Sequence, residues 1–204
     1  MTGVQTCALP IYVELATHFI AALGLFCYTL WFALSLLIKP KQFVINVPLQ
    51  KLMLAIVVIL FFQLIYGAFM AGLKAAVSAP TWPTINGSII PAAMNELSPW
   101  GKNLISNNIT IHFIHRGLAY LLLVLITGWY FKAAAVKKNR LFGKLRFGVF
   151  ILVTLQLVLG IFTVLKSTES NGLLLFGALH QFTAMLLVMC VITLLYLLKK
   201  KIVN

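Results

Sequence analysis

Acidic side chains are almost missing from this chain of 204 residues: the only three acids are Glu14, Glu96 and Glu169, against sixteen lysines and arginines. That scarcity argues against a metal site built from carboxylates. Cysteine is also scarce, with three in the chain. Because Cys27 and Cys190 lie inside apolar runs, we predict neither a disulfide framework nor a Cys-x-x-Cys site.

Apolar residues dominate what is present. They make up 62% of the chain, charged residues make up 9%, and the mean hydropathy is +1.03. These values are typical of an integral membrane protein. A net charge of +13 could indicate a nucleic-acid partner. The bases lie in short loops between apolar runs, however, where they orient helices, and no nucleic acid is predicted as a partner.

Five apolar runs are long enough to cross a bilayer, which takes about 20 helical residues. Basic residues concentrate in loops 39–48 and 132–146 and in the C-terminal tail. The positive-inside rule therefore places the N-terminus outside and the C-terminus in the cytoplasm. We predict an all-α polytopic membrane protein with five transmembrane helices, at approximately 12–38, 49–73, 108–131, 147–165 and 173–198.

Histidines occur at one depth in three of these predicted spans. His18 lies near the outer end of the first span, His112 and His115 open the third, and His180 lies near the start of the fifth. Ionisable residues in a membrane span cost about 2.5–3.5 kcal/mol on insertion scales and usually face a partner inside the bundle. One such histidine would be an ordinary hydrogen-bonded residue, but several at one level favour a shared ligand.

Heme suits these histidines better than zinc, because zinc needs three or four donors close together. Two imidazoles from facing helices match the two axial positions of a heme iron. Arg116 could pair with an anionic heme propionate, or it could simply extend to the membrane surface. His112 could orient a propionate or relay a proton, and a solvated interfacial histidine is an equal alternative.

The second and fourth spans repeat one pattern, Gln-Leu-x-x-Gly-x-Phe. Gln63 corresponds to Gln156 and Gly67 corresponds to Gly160. Each glycine alone is explained by close helix packing. The glutamines are more informative, because a buried amide needs hydrogen-bond partners. We therefore place Gln63 and Gln156 among the cofactor-binding residues.

The first eleven residues, "MTGVQTCALPI", differ in character from the rest. They are polar, contain Pro10 and lack the basic region and apolar core of a signal peptide. They look like the translation of a sequencing adapter. We expect residues 1–11 to be a non-native leader, with a short natural tail as the alternative, and expect the natural protein to have begun further upstream.

Four elements together resemble the second half of heme A synthase, in order and spacing: "GAFMAGLKAA…TWPTINGSIIP", "IHFIHRGLAY", "QLVLGIFTVL" and "LHQFTA". The resemblance covers about residues 12–198. It implies an eight-helix protein of two similar four-helix halves. In the intact family the methyl group of heme O is oxidised to the formyl group of heme A, for terminal oxidase assembly.

The resemblance also implies roles for individual residues. His115 and His180 would be the axial pair of heme b, with Arg116, His112, Gln63 and Gln156 around it. His18 would ligate a second heme whose partner histidine is missing. The family's catalytic glutamate belongs to that missing part, so the catalytic residue here is unknown.

The domains expected from the resemblance are residues 12–38, as the last helix of the first half, and residues 49–198, as the heme b half with an outer loop at 74–107. The chain alone would then bind heme without making heme A. The expected location is a bacterial inner membrane with the histidines on its outer side. Candidate partners are membrane lipid, heme O, heme A, heme O synthase, oxidase assembly factors and a second copy of the chain.

Two other functional classes remain open from the sequence. A heme b-containing anchor subunit of a respiratory complex would explain the histidine pair and Arg116, but not the Trp-Pro loop or His18. A transporter with polar pocket histidines is the third interpretation. Replacement of His115 or His180 by alanine would separate the heme-binding classes from the transporter.

Overall fold

The computed structural model describes residues 11–136 and 139–198, and over those ranges the regular structure is helical. Five helices are long and apolar enough to cross a membrane. They are α1 (Ile11–Leu37), α2 (Val47–Gly72), α5 (Asn108–Ala133), α6 (Arg140–Leu165) and α7 (Ser170–Leu197), with the short helices α3 (Ala75–Ser78) and α4 (Asn103–Ser106) between α2 and α5. The predicted all-α polytopic membrane fold is confirmed.

Some predictions fall outside the described residues. The predicted leader, residues 1–11, lies outside them apart from Ile11, which is the first residue of α1. The bases at 137–138 and 199–201, which contributed to the predicted orientation, also lie outside them. Both the leader and the orientation stay predictions.

The start of α6 differs most from the predicted bounds, because the helix begins at Arg140 and not near residue 147. Hydropathy predicts that the helix starts after the charged residues, near residue 147. The observed start is instead determined by the residue that caps the helix, Asn139. The Asn139 side chain accepts a hydrogen bond from the Phe142 amide at 3.0 Å and so satisfies an otherwise unpaired donor. Arg146 stays within the helix by stacking on Tyr130, 4.6 Å from the ring centroid.

The helices pack as two pairs, α2 with α5 and α6 with α7, which join mainly through α5 and α6. Helix α1 packs against α2 and α7 and is largely exposed on its other faces. The main apolar core lies between the pairs, towards the end that carries the basic loops. Its fully buried members include Met53, Ile56, Trp129, Phe142 and Leu194. Association inside lipid depends on such close packing, because lipid tails are as apolar as the core.

The long loop, residues 74–107, folds over the opposite end of the bundle. A tight turn at Asn86 (φ 50°) and Gly87 (φ 88°) closes it, and Ile85 and Ser88 pair across the turn. The Asn107 side chain caps α5 by accepting from the amides of Ile109 and Thr110. The same side chain donates to the Ala93 carbonyl at 2.8 Å. The loop is thereby fixed to the helix that opens with the histidines.

Candidate functional site

His115 lies on α5 and faces α2, where Gln63 meets it. The Gln63 Nε2 atom is 3.3 Å from the His115 Nε2 atom. Gly67 stands one helical turn from Gln63 on the same face of α2. A Cβ atom added at Gly67 would lie 3.4 Å from Cε1 of the His115 ring. One residue of α2 therefore holds the imidazole and the other leaves room for it.

His180 repeats this arrangement in the other helix pair. The Gln156 Nε2 atom of α6 is 3.2 Å from the His180 Nε2 atom of α7. A Cβ atom added at Gly160 would lie 3.1 Å from Cε1 of His180, closer than nearly all real contacts of this kind. We call each set of glutamine, glycine and histidine an imidazole cradle. The repeat seen in the sequence thus has a structural meaning, since both cradles are made in the same way.

The two cradles face each other across the bundle. The ring centroids of His115 and His180 are 6.5 Å apart and the ring planes are inclined by 70°. The structure brings together four of the predicted site residues at this place: His115, His180, Gln63 and Gln156. What the sequence did not show was which glutamine holds which histidine.

Buried polar atoms without partners cluster in the cradles. They are Nδ1 of His115, Nδ1 of His180, and Oε1 of Gln63 and Gln156. An unsatisfied buried donor or acceptor costs about 1–3 kcal/mol, and native proteins have few. Four at one level of the bundle indicate a site shaped for a ligand that would satisfy or replace these contacts.

His112 and Arg116 form a second group beside the cradles. His112 is fully buried, and the Arg116 Nε–H donates to its Nε2 at 2.9 Å. The predicted alternative of a solvated interfacial histidine is therefore wrong. Hydropathy could not reveal this, because the long loop covers the start of α5. His112 Nδ1 is a further buried atom without a partner.

The Arg116 guanidinium also holds the long loop. Its Nη2 donates to the Thr81 carbonyl at 2.5 Å, and its Nη1 approaches the carbonyls of Pro83 and Thr84 at 3.3 and 3.2 Å. The alternative in which Arg116 simply extends to the membrane surface does not describe these contacts. Three loop carbonyls and one imidazole converge on a single cation, which fixes the loop over the site.

His18 does not join the other histidines. It is exposed on α1, whereas the cradles lie inside the bundle formed by α2, α5, α6 and α7. Within the described residues no group of three or more His, Cys, Asp or Glu side chains could hold a metal ion. His115 and His180 are the two histidines that the structure places ring to ring.

The comparison with protein families gives one match over nearly the whole chain. The family model described as "Cytochrome oxidase assembly protein" (COX15-CtaA) matches residues 7–192. No solved structure gives a significant match to the chain.

Curated relatives agree with that match. A "Heme A synthase" of Bradyrhizobium sp. (strain ORS 278) is 38% identical over 180 residues, which cover 85% of this chain and 47% of the relative. A protein of the same name from Wolbachia pipientis subsp. Culex pipiens (strain wPip) is 34% identical, with 76% and 45% covered. One from Flavobacterium johnsoniae is 31% identical, with 86% and 51% covered. The chain spans about half the length of the curated relatives it matches.

Proposed function

This chain belongs to the COX15-CtaA family of cytochrome oxidase assembly proteins, and from that premise we propose that it supplies the heme b site of an enzyme of heme A biosynthesis. The reaction proposed for the whole protein is oxidation of the heme O methyl group to the formyl group of heme A. The name carried by the relatives, "Heme A synthase", supports this product. The proposal about the site rests on the residues of this chain.

The residues present fit a heme iron with two axial imidazoles. Two imidazoles that would hold one iron between them must face each other closely. The observed separation of His115 and His180 is 6.5 Å. Each ring has one nitrogen near a glutamine and one buried nitrogen without a partner. When bound, heme b would supply one-electron transfer at this place.

Gln63 and Gln156 set the tautomer of the two rings. A neutral imidazole must offer a lone pair to a metal on one nitrogen and donate its N–H from the other. With its amide oxygen turned to the ring, each glutamine accepts that N–H. A hydrogen bond of this kind fixes the orientation and basicity of a metal-ligating histidine. The observed separations of 3.3 and 3.2 Å allow it.

Arg116 supplies positive charge beside the pair. A guanidinium carries five N–H donors, and Arg116 has four acceptors among the described residues. One donor is left for an anionic heme propionate, and the carbonyls of Thr81, Pro83 and Thr84 keep the group in place. His112, held by Arg116, is proposed to contact the same propionate.

His18 is proposed as a ligand of a second heme, the substrate, on the exposed face of α1. No residue of this chain is assigned as the catalytic acid. The proposed location is a bacterial inner membrane with both histidine sites on its outer side. Heme O synthase and oxidase assembly factors are proposed partners of the whole protein.

The facing pair of imidazole cradles is the observation that carries this proposal, and heme binding tests it. We expect the purified protein to take up roughly one heme b and to show the low-spin spectrum of two axial histidines. His115→Ala and His180→Ala should each abolish that spectrum. His18→Ala is the matched control, because His18 is exposed on α1 and belongs to neither cradle, and it should leave the heme b spectrum unchanged. An unaltered spectrum in either cradle variant would refute the ligand assignment.

A further inference from the structure

The end of the bundle opposite the cradles is basic and has no acidic side chain of its own. We call it the basic end. It comprises the start of α2 with the loop that precedes it, and the end of α5 with the loop that leads to the start of α6. All three glutamates of the chain lie elsewhere, at the first turn of α1, in the long loop and at the start of α7. The one ion pair among the described residues, Lys166 with Glu169, is also at the cradle end. No glutamate of this chain lies at the basic end to neutralise its lysines and arginines.

A cavity of about 670 Å³ opens at this end between α2 and α5. Its polar lining comes from Asn46, Lys51 and Lys132, and its apolar lining comes from Val47, Pro48, Leu49 and Leu52. Both lysines are exposed. The cavity therefore offers two ammonium groups beside an apolar wall.

Buried contacts fix the positions of α2 and α5 on the two sides of this cavity. The Trp129 indole N–H donates to the Leu49 carbonyl at 3.1 Å, and Trp129 is fully buried. Lys132 stands three residues after Trp129, on the same side of α5. The Asn46 side chain accepts from the Leu49 amide at 3.0 Å and fixes the first turn of α2, which Lys51 directly follows. The lysines are thus presented from two helices that cannot easily separate.

We propose that this cavity binds the headgroup of an anionic phospholipid, with its phosphate between Lys51 and Lys132 and an acyl chain along Leu52. Basic pockets between transmembrane helices take up anionic headgroups in this way. The apolar wall favours a lipid over free phosphate, because free phosphate has nothing to bury there. The proposal does not depend on heme binding.

Lipid binding by the detergent-purified chain tests this proposal through native mass spectrometry. Dioleoyl phosphatidylglycerol and dioleoyl phosphatidylcholine are titrated separately, and inorganic phosphate is added as a competitor. We expect one phosphatidylglycerol to bind more tightly than phosphatidylcholine and to resist millimolar phosphate. Lys51→Gln/Lys132→Gln should reduce the preference about tenfold or more, since each basic residue near an anionic headgroup adds severalfold.

The matched control is Lys39→Gln/Lys41→Gln, which removes the same charge from a neighbouring loop that does not line the cavity. It should keep most of the preference. Lys51→Arg/Lys132→Arg should also keep it, which separates charge from misfolding. Equal losses in the control and cavity variants would overturn the proposal, as would displacement of the lipid by phosphate.

Discussion

Gly67 and Gly160 each face a histidine ring, and the two glycines differ in how close that ring lies. An added Cβ would lie 3.4 Å from the His115 ring but 3.1 Å from the His180 ring, where it would also come within 3.8 Å of both ring nitrogens. Overpacking of this kind typically costs about 1–3 kcal/mol. The space beside the His180 ring is therefore a requirement of the histidine, whereas a Cβ atom at Gly67 would make an ordinary van der Waals contact with His115.

Alanine at these positions gives a graded test. Gly160→Ala should displace His180 and weaken heme binding by about tenfold or more, whereas Gly67→Ala should have a smaller effect. Heme titration followed by absorbance measures both. Gly128→Ala in α5 is the control, because nothing lies within 4 Å of its Cβ position. If Gly160→Ala bound heme as well as Gly128→Ala does, the cradle would not determine the position of the ring.

Arg116 is one of the side chains that attach the long loop to α5, besides Asn107. Arg116 reaches the carbonyls of Thr81, Pro83 and Thr84 from the third turn of α5. Trp82 adds a hydrogen bond from its indole N–H to the Tyr120 hydroxyl at 3.2 Å. The loop is thus attached to the helix by a cation that lies in the same turn as a proposed axial ligand.

Arg116→Lys should loosen the loop while keeping the charge. An ammonium on a flexible stem cannot meet three carbonyls and an imidazole at once. Hydrogen bonds to charged groups contribute about 1.5–3 kcal/mol, so amide exchange over residues 81–88 should accelerate about tenfold or more. Hydrogen–deuterium exchange measures this. Lys102→Gln, in the same loop, is the control and should leave amide exchange at residues 81–88 unchanged. If Arg116→Lys exchanged there at the same rate as the unsubstituted protein, the attachment through Arg116 would be contradicted.

Helix content was readable from the sequence because apolar runs of this length have few other solutions in a membrane. The contacts between particular side chains inside the bundle could not be predicted in this way. Hydropathy does not indicate which of two glutamines meets which of four histidines. Arg116 was open to two interpretations, neither of which included backbone carbonyls. A loop of about thirty residues can place carbonyls anywhere, so these contacts depend on tertiary structure alone.

For the whole molecule, a single membrane span separates the long loop from each loop of the basic end, so the two lie on opposite faces of the membrane. The positive-inside rule predicts that the basic end is cytoplasmic. Single cysteines at exposed positions test this in a background that lacks Cys7, Cys27 and Cys190. Ser88→Cys in the long loop should react with an impermeant maleimide in intact spheroplasts. Lys41→Cys should react only after lysis, and the reverse pattern would invert the proposed orientation.

The imidazole cradles also have a consequence for the order in which the protein is made. Each cradle is completed by two consecutive membrane spans, α2 with α5 and α6 with α7, and needs no residue from the other pair. Since chains emerge and fold from the N-terminus onward, the His115 cradle can close while α6 and α7 are still being synthesised. Each histidine is then positioned within its own helix pair, and the site is assembled when the two pairs dock.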